Sequence, residues 1–286
     1  MKKNILRGLK GLHLLFTDPY GFWQHLKPYV LPAKSGMRKI NGINFNIELE
    51  LDWCMRHMYT GSYQYEITNL LKKFLRKGDT FIDVGANVGY FSAVALGLVG
   101  KTGEVHSFEP VPKYYKRLKT VHENNLDFNI NVNEVACGEE EGITKISVAN
   151  GNNIGWNTMV PNFMHKDSIE EEIEISVITL DSYLTQKNIK NVRLVKMDTE
   201  GYEFPVMKGF QQYLRGLNEL PILVIEVVPE AYDKLKLTLA DFADLMVNLG
   251  YVAYDFKLAN LIEVAQLVAP TTDVVFLPKN LCPKNR

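Results

Sequence analysis

The chain has 286 residues, is 46% hydrophobic and 23% charged, and carries a formal net charge of -1 at pH 7. Those values match ordinary globular domains, which excludes disordered, collagen-like and coiled-coil chains, and the balanced charge gives no overall attraction to nucleic acid. Cys54, Cys137 and Cys282 stand far apart with no Cys-x-x-Cys pair, which argues against a disulfide framework or zinc knuckle and for a reducing, cytoplasmic setting.

The charge is unevenly spread. Residues 1–40 hold eight bases against one acid, Asp18, whereas 139–174 hold eight acids against Lys145 and Lys166. Lys2 and Lys3 open like a signal peptide, but Arg7 and Lys10 interrupt the apolar run. What remains is amphipathic, with Ile5, Leu9, Leu12 and Phe16 at helical spacing. Residues 1–16 are thus a candidate peripheral contact to the inner face of a membrane, or a helix that docks on its own domain. Nothing approaches the ~18 apolar residues of a membrane span.

In chain order, residues 1–35 predict one or two short helices, broken near Pro19 and at Pro32. Asn41-Gly42 is a favoured two-residue turn, so 37–49 predict a hairpin with Ile43, Phe45, Ile47 and Leu49 on one face. Ile67, Leu70, Leu71 and Phe74 mark a helix face ended at Gly78-Asp79. Strands then alternate with helices: strands at Thr80–Val84, Glu104–Phe108, Ile130–Val135, Val192–Met197 and Ile222–Val227, then near 251–256 and 273–277. Helices are expected after Val88, at 111–124, around Phe204, Met207 and Leu214, and at about 239–249. The segment 150–172 reads as a long polar loop, with Asn152, Asn153, Gly155, Trp156, Asn157 and Thr158. Short apolar strands between amphipathic helices imply a doubly wound α/β fold. Residues 1–78 form an α+β N-terminal cap and 79–286 the main domain.

Ligands of such sheets sit beyond the carboxyl ends of the strands. There the chain reads Asp83-Val84-Gly85-Ala86-Asn87-Val88-Gly89, leading into a helix. Gly85 lets a ligand approach closely, and Gly89 lets the helix start pack closely. A dinucleotide fingerprint needs glycine where Asn87 stands, and Asp83 would repel a pyrophosphate but suits an ammonium. A cofactor with an amino-acid end and no phosphate, such as S-adenosylmethionine, fits better. Glu109, 24 residues after Gly85 and at the end of the next strand, can accept both hydroxyls of a ribose.

These residues resemble the FkbM family of S-adenosylmethionine-dependent methyltransferases. The resemblance rests on Gly61, Tyr65-Glu66, Phe81 to Ser92, Phe108-Glu109-Pro110, Ala136 to Gly138, Thr179-Leu180-Asp181, Val195 to Glu203, Lys208-Gly209 and Ile225-Glu226. It implies a Rossmann-like, seven-stranded methyltransferase sheet whose last strand is antiparallel. It also implies that Asp83, Gly85, Asn87 and Gly89 line the cofactor's amino-acid end, that Glu109 holds the ribose, and that Ala136 lies near the adenine. Ala86, Pro110 and Asp198 belong to the same binding set, with Asn133 and Cys137 as further candidates. Thr199 and Met197 depart from the family's usual residues without changing charge.

Methyl transfer to a hydroxyl needs alignment and a base for the leaving proton. Asp198 and Glu200 sit two apart at a strand end, and Glu226 ends the next strand. They are candidates for that base, or, for Asp198 and Glu226, for oxygen ligands to a divalent cation. Helix capping by Asp198 and Glu200 is the bland alternative. His165, in the polar loop, is a further catalytic candidate or an exposed loop histidine, while His57 and His106 read as structural. Trp156 among amides suits a sugar ring, and the resemblance implies as acceptor a hydroxyl of a sugar, glycan or other small-molecule natural product. The resemblance places such chemistry in surface polysaccharide or polyketide biosynthesis. An amine acceptor and a catalytically inactive cofactor-binding module are the alternatives. No Asn-Pro-Pro-Tyr-type motif supports nucleic-acid methylation.

Overall fold

Asn41 and Gly42 both adopt positive φ, 52° and 89°, and close β1 (Gly36–Ile40) on β2 (Ile43–Ile47) in the expected hairpin. The computed structural model describes residues 18–151, 155–268 and 271–283, so the segment 1–16 and Asn152 and Asn153 lie outside the described residues. Before the hairpin, Pro19 does not break a helix. It opens α1 (Pro19–Val30), because a proline in the first turn lacks only an N–H that has no helical partner, and Asp18 caps that turn by accepting from Gly21 N. Two short helices follow, α2 (Cys54–Thr60) and α3 (Tyr65–Phe74).

The main sheet is built from β3 (Thr80–Val84), β4 (Glu104–Phe108), β5 (Asn129–Asn133), β9 (Leu194–Met197), β10 (Ile222–Val227), β11 (Tyr251–Tyr254) and β12 (Thr272–Pro278). Its order is β11-β12-β10-β9-β3-β4-β5. Pairings from β10 through β5 are parallel, and β12 runs antiparallel between β10 and β11, the arrangement expected of a methyltransferase sheet. β9 is the middle strand and β3 its neighbour, so their ends meet where the strand order reverses.

Alternate side chains along each strand feed two cores. Phe81, Val105, Leu194 and Val224 face one core, which includes α4 (Tyr90–Val99) and α5 (Pro112–Glu123). Ile82, Val84, Val195, Met197 and Ile225 face the other, beneath α6 (Leu180–Gln186), α7 (Glu203–Lys208), α8 (Gln211–Arg215) and α10 (Leu239–Asn248). A further short helix, α9 (Pro229–Lys234), follows β10. The hairpin joins the first core through Ile43, Phe45 and Ile47. Its turn lies directly on α4: Asn41 Nδ2 donates to the Val94 carbonyl, and a Cβ on Gly97 would meet the Asn41 carbonyl at 2.2 Å.

The expected loop at 150–172 is shorter than its sequence suggests. β7 (Gly142–Ala149) and β8 (Ile169–Ile178) pair antiparallel, and β6 (Ala136–Cys137) joins them in a separate three-stranded sheet. The acids Glu170, Glu171, Glu172 and Glu174 are exposed on β8, while Ile175 and Val177 are buried. That charge run hid the strand's period. Among the described residues no helix is long and apolar enough to cross a membrane.

Candidate functional site

A cavity of about 1200 Å³ lies over the carboxyl ends of β3, β4 and β9, and residues of α1, α2 and the start of α3 also line it. Gly85, Ala86, Asn87, Glu109, Pro110, Ala136, Asp198, Glu200 and Glu226 all line it. Several other expected residues are placed differently. Asp83 is 1% exposed and lies beneath the site, where its Oδ2 accepts from Ser92 Oγ at 2.6 Å. Gly89 packs on α5, where a Cβ would meet Leu118 Cδ1 at 2.8 Å. His165 is exposed at the start of a short 3-10 turn and is not among the residues lining the cavity.

Gly85 has a reason the sequence did not reveal. Its φ is +75°, and the place its Cβ would occupy is filled by the Asp198 carbonyl, not left open for a ligand. The β3 loop and the β9 turn are thereby in backbone contact. Glu109 spans the next gap: Oε2 accepts from Asn87 N at 2.8 Å and Oε1 from Val111 N at 2.9 Å. Each carboxylate oxygen has a second lone pair for a ribose hydroxyl. Burial pushes Glu109 up to about 7 despite those two bonds.

The second half of the site is a group of carboxyls. Oxygens of Asp198, Glu200 and Glu226 lie within 4.8 Å of one another, and Asp273 stands directly opposite Glu226 across the antiparallel pair. Burial, then repulsion from Asp198, pushes Glu200 up to about 9 and Glu226 up to about 12. The turn that carries Asp198 and Glu200 is held by Glu203, which is fully buried. Its Oε1 accepts from Thr199 N, Thr199 Oγ1 and Gly201 N, so Glu203 braces the turn from inside, and among the described residues no side chain caps α7. Glu200 itself has φ 51°, and its carbonyl accepts from Thr158 Oγ1 at 2.7 Å.

Lys196 supplies this group with a positive charge. It is 3% exposed, donates to Asp198 Oδ2 at 3.1 Å, and lies 3.9 Å from Asp83 Oδ1. Burial alone would lower its pKa, but Asp198 and Asp83 hold it above the ordinary lysine value. A divalent cation bound by Asp198 and Glu226 would have to share Asp198 with this ammonium. The sequence reading places Lys196 only inside the strand Val192–Met197 and the block that carries the family resemblance, with no role of its own. The signal was there: in period two it shares its face with Leu194, so its charge had to be buried and paired.

Aromatic residues complete the walls. Tyr63 lies by the carboxyls, and burial followed by charges including Asp198 and Glu226 raises its phenol well above the usual range. Trp156, 59% exposed, stands at the mouth, on a segment tied to β7 by the Ser147–Thr158 bridge. On another wall Val135, Ala136, Cys137 and Ile146 form an apolar surface near Glu109 suited to a flat base.

The family profile described as methyltransferase FkbM domain matches residues 83–255, more than half of the chain. The chain belongs to the FkbM methyltransferase family. Two relatives match over 164 residues each. Hexuronic acid methyltransferase AglP of Haloferax volcanii is 25% identical, over 57% of this chain and 62% of its own length. 31-O-demethyl-FK506 methyltransferase FkbM of Streptomyces tacrolimicus is 28% identical, over 48% of this chain and 61% of its own. The match therefore spans about three-fifths of the length of either relative. A solved structure of methyltransferase FkbM from Methylobacillus flagellatus KT aligns at TM-score 0.43 and 16% identity, covering 78% of this chain and 53% of that one.

Proposed function

We propose that this FkbM-family protein is an S-adenosylmethionine-dependent O-methyltransferase acting on a hydroxyl of a sugar, glycan or related natural product. The observation that carries this reading is one cavity with two chemically distinct halves: the Glu109 cradle on one side and the Asp198–Glu200–Glu226 carboxyls on the other. Its volume exceeds the roughly 300–1,000 Å³ of a single small-molecule site, which leaves room for cofactor and acceptor together.

The residues fit the cofactor. Glu109 offers free lone pairs for ribose hydroxyls, Ala136 and Cys137 an apolar surface for adenine, and the Asp198 carboxylate a counter-charge for the cofactor's cationic end. When bound, S-adenosylmethionine supplies an activated methyl group for in-line transfer. The chain's own work is alignment and proton handling. Glu200 and Glu226 keep their protons at neutral pH and donate hydrogen bonds to acceptor hydroxyls. Asp198, held by the Lys196 ammonium, takes the hydroxyl proton as general base. Trp156 and Tyr63 give a sugar ring apolar faces to lie against. The gathering of acids favours an acceptor without a carboxylate beside the methylated position.

Calorimetric titration with S-adenosylmethionine, S-adenosylhomocysteine and NAD tests the cofactor half. Binding of both adenosyl compounds and not of NAD is expected; no binding of either overturns the reading. A panel of glycoside hydroxyls and amines, assayed for methyl uptake, then separates O- from N-methylation.

A further inference from the structure

Helix α1 presents three faces with different environments. Gly21, Gln24 and Pro28 are buried, and the end of the helix is tied to α2 by Arg56, whose Nε donates to the Pro28 carbonyl and whose Nη2 donates to the Leu31 carbonyl at 3.2 Å. Phe22, His25, Leu26 and Tyr29 form a second face and line the cavity. The third face is Tyr20, Trp23, Lys27 and Val30, at positions i, i+3, i+7 and i+10. Tyr20, Trp23 and Val30 on it are 54%, 43% and 53% exposed. A helix of a water-surrounded domain keeps its apolar residues inward, so an outward stripe of this kind marks a surface with a partner.

The stripe continues onto its surroundings. Tyr29 and Trp53 flank His57 and are themselves exposed, as are Val30, Leu31 and Met37. Lys34, Arg38 and Lys39 are exposed on the following turn and strand. Across residues 18–40 the charges are four bases and one acid, and that acid, Asp18, is engaged as the cap of α1. Exposed tryptophan and tyrosine ringed by lysine and arginine is the composition of surfaces that rest in the headgroup region of an anionic bilayer.

We infer that this face of α1, with the adjoining basic turn, docks on an anionic phospholipid membrane. Charge selects this occupant. A second copy placed face to face would set Lys27, Lys34, Arg38 and Lys39 against themselves. The preceding residues of the chain bring Lys2, Lys3, Arg7 and Lys10, again the same sign. A leaflet rich in anionic headgroups brings the opposite sign and an apolar layer beneath it. The neighbouring face of the same helix lines the cavity, so docking would bring one wall of the cavity close to the lipid surface.

The test is flotation of the full chain with vesicles of phosphatidylcholine alone and of phosphatidylcholine mixed with phosphatidylglycerol, at low and high salt. Binding to the mixed vesicles alone, weakened by salt, is expected. Trp23→Asp with Val30→Asp should lower partitioning about tenfold or more, as should Lys34→Glu with Lys39→Glu. Neither pair lines the cavity, so melting temperature and S-adenosylhomocysteine binding should be retained, which separates this surface from the cofactor site. Three results overturn the inference. They are no binding by the full chain, undiminished binding by both variants, and a dimer in the absence of lipid that Trp23→Asp dissociates.

Discussion

The β-carbon that Gly85 lacks would sit 1.8 Å from the carbonyl oxygen of Asp198. This contact joins the glycine loop after β3 to the acid turn after β9, and Asp198 N returns a hydrogen bond to the Val84 carbonyl at 3.0 Å. The two loops are therefore in direct backbone contact. Gly85→Ala adds a methyl group that cannot fit and a side chain at positive φ, so a loss of about 3 kcal/mol in urea unfolding is expected, together with loss of S-adenosylhomocysteine binding. Unchanged stability would contradict the contact.

Lys196 compensates Asp83 and Asp198 where water is excluded. Replacing it with methionine leaves two buried or half-buried carboxylates without their ammonium, which should cost about 3–5 kcal/mol. Adding Asp83→Asn should recover part of that loss. A double-mutant cycle measures the recovery, and purely additive effects would show that the pair is not coupled.

Glu203 does not line the cavity, yet it shapes the turn that does. Glu203→Ala strands the N–H groups of Thr199 and Gly201 and should destabilise the protein by about 2–3 kcal/mol. Acceptor turnover should fall further than cofactor affinity, because the turn carries Asp198 and Glu200. Equal losses in both would place Glu203 in general stability alone.

Asp198→Asn removes the proposed base while keeping the shape of the side chain. Turnover at saturating acceptor should drop about 10²–10⁴-fold. S-adenosylhomocysteine affinity, measured by calorimetry, should change by much less. A variant that turns over at the parent rate removes Asp198 from the chemistry.

Without ligand the protein should be more stable in mild acid than in mild base. Burial pushes Glu109, Glu203 and Asp273 up to about 7, each above the value near 4 of an unfolded chain. A raised carboxyl pKa means that the folded state holds the proton more tightly. Its stabilisation is complete below the unfolded pKa and is lost as pH rises through the folded one. The melting temperature should therefore be higher at about pH 5.5 than at about pH 8.5. Glutamine at Glu203 should flatten the difference, and a rise in melting temperature across that interval would refute the assignment.

The sequence by itself determined the alternation of strands and helices, the hairpin at Asn41-Gly42, the Gly85–Gly89 loop, Glu109 and the acids after β9. Each is written in local terms: a period of two or 3.6, a turn dipeptide, a glycine beside a strand end. The strand β8 escaped because Glu170 to Glu174 put charge on nearly every residue of its first half, which erased the alternation. The tertiary structure decided what depends on residues distant in sequence. It placed Asp83 under the site and not in it, set Glu226 opposite Asp273, put His165 at the surface, and brought α1 across the cavity. It also gave Gly85 its reason, since a glycine's neighbour 113 residues away leaves no trace in local pattern. Strand order and register set those pairings, and they are fixed by packing of the whole sheet between its two cores.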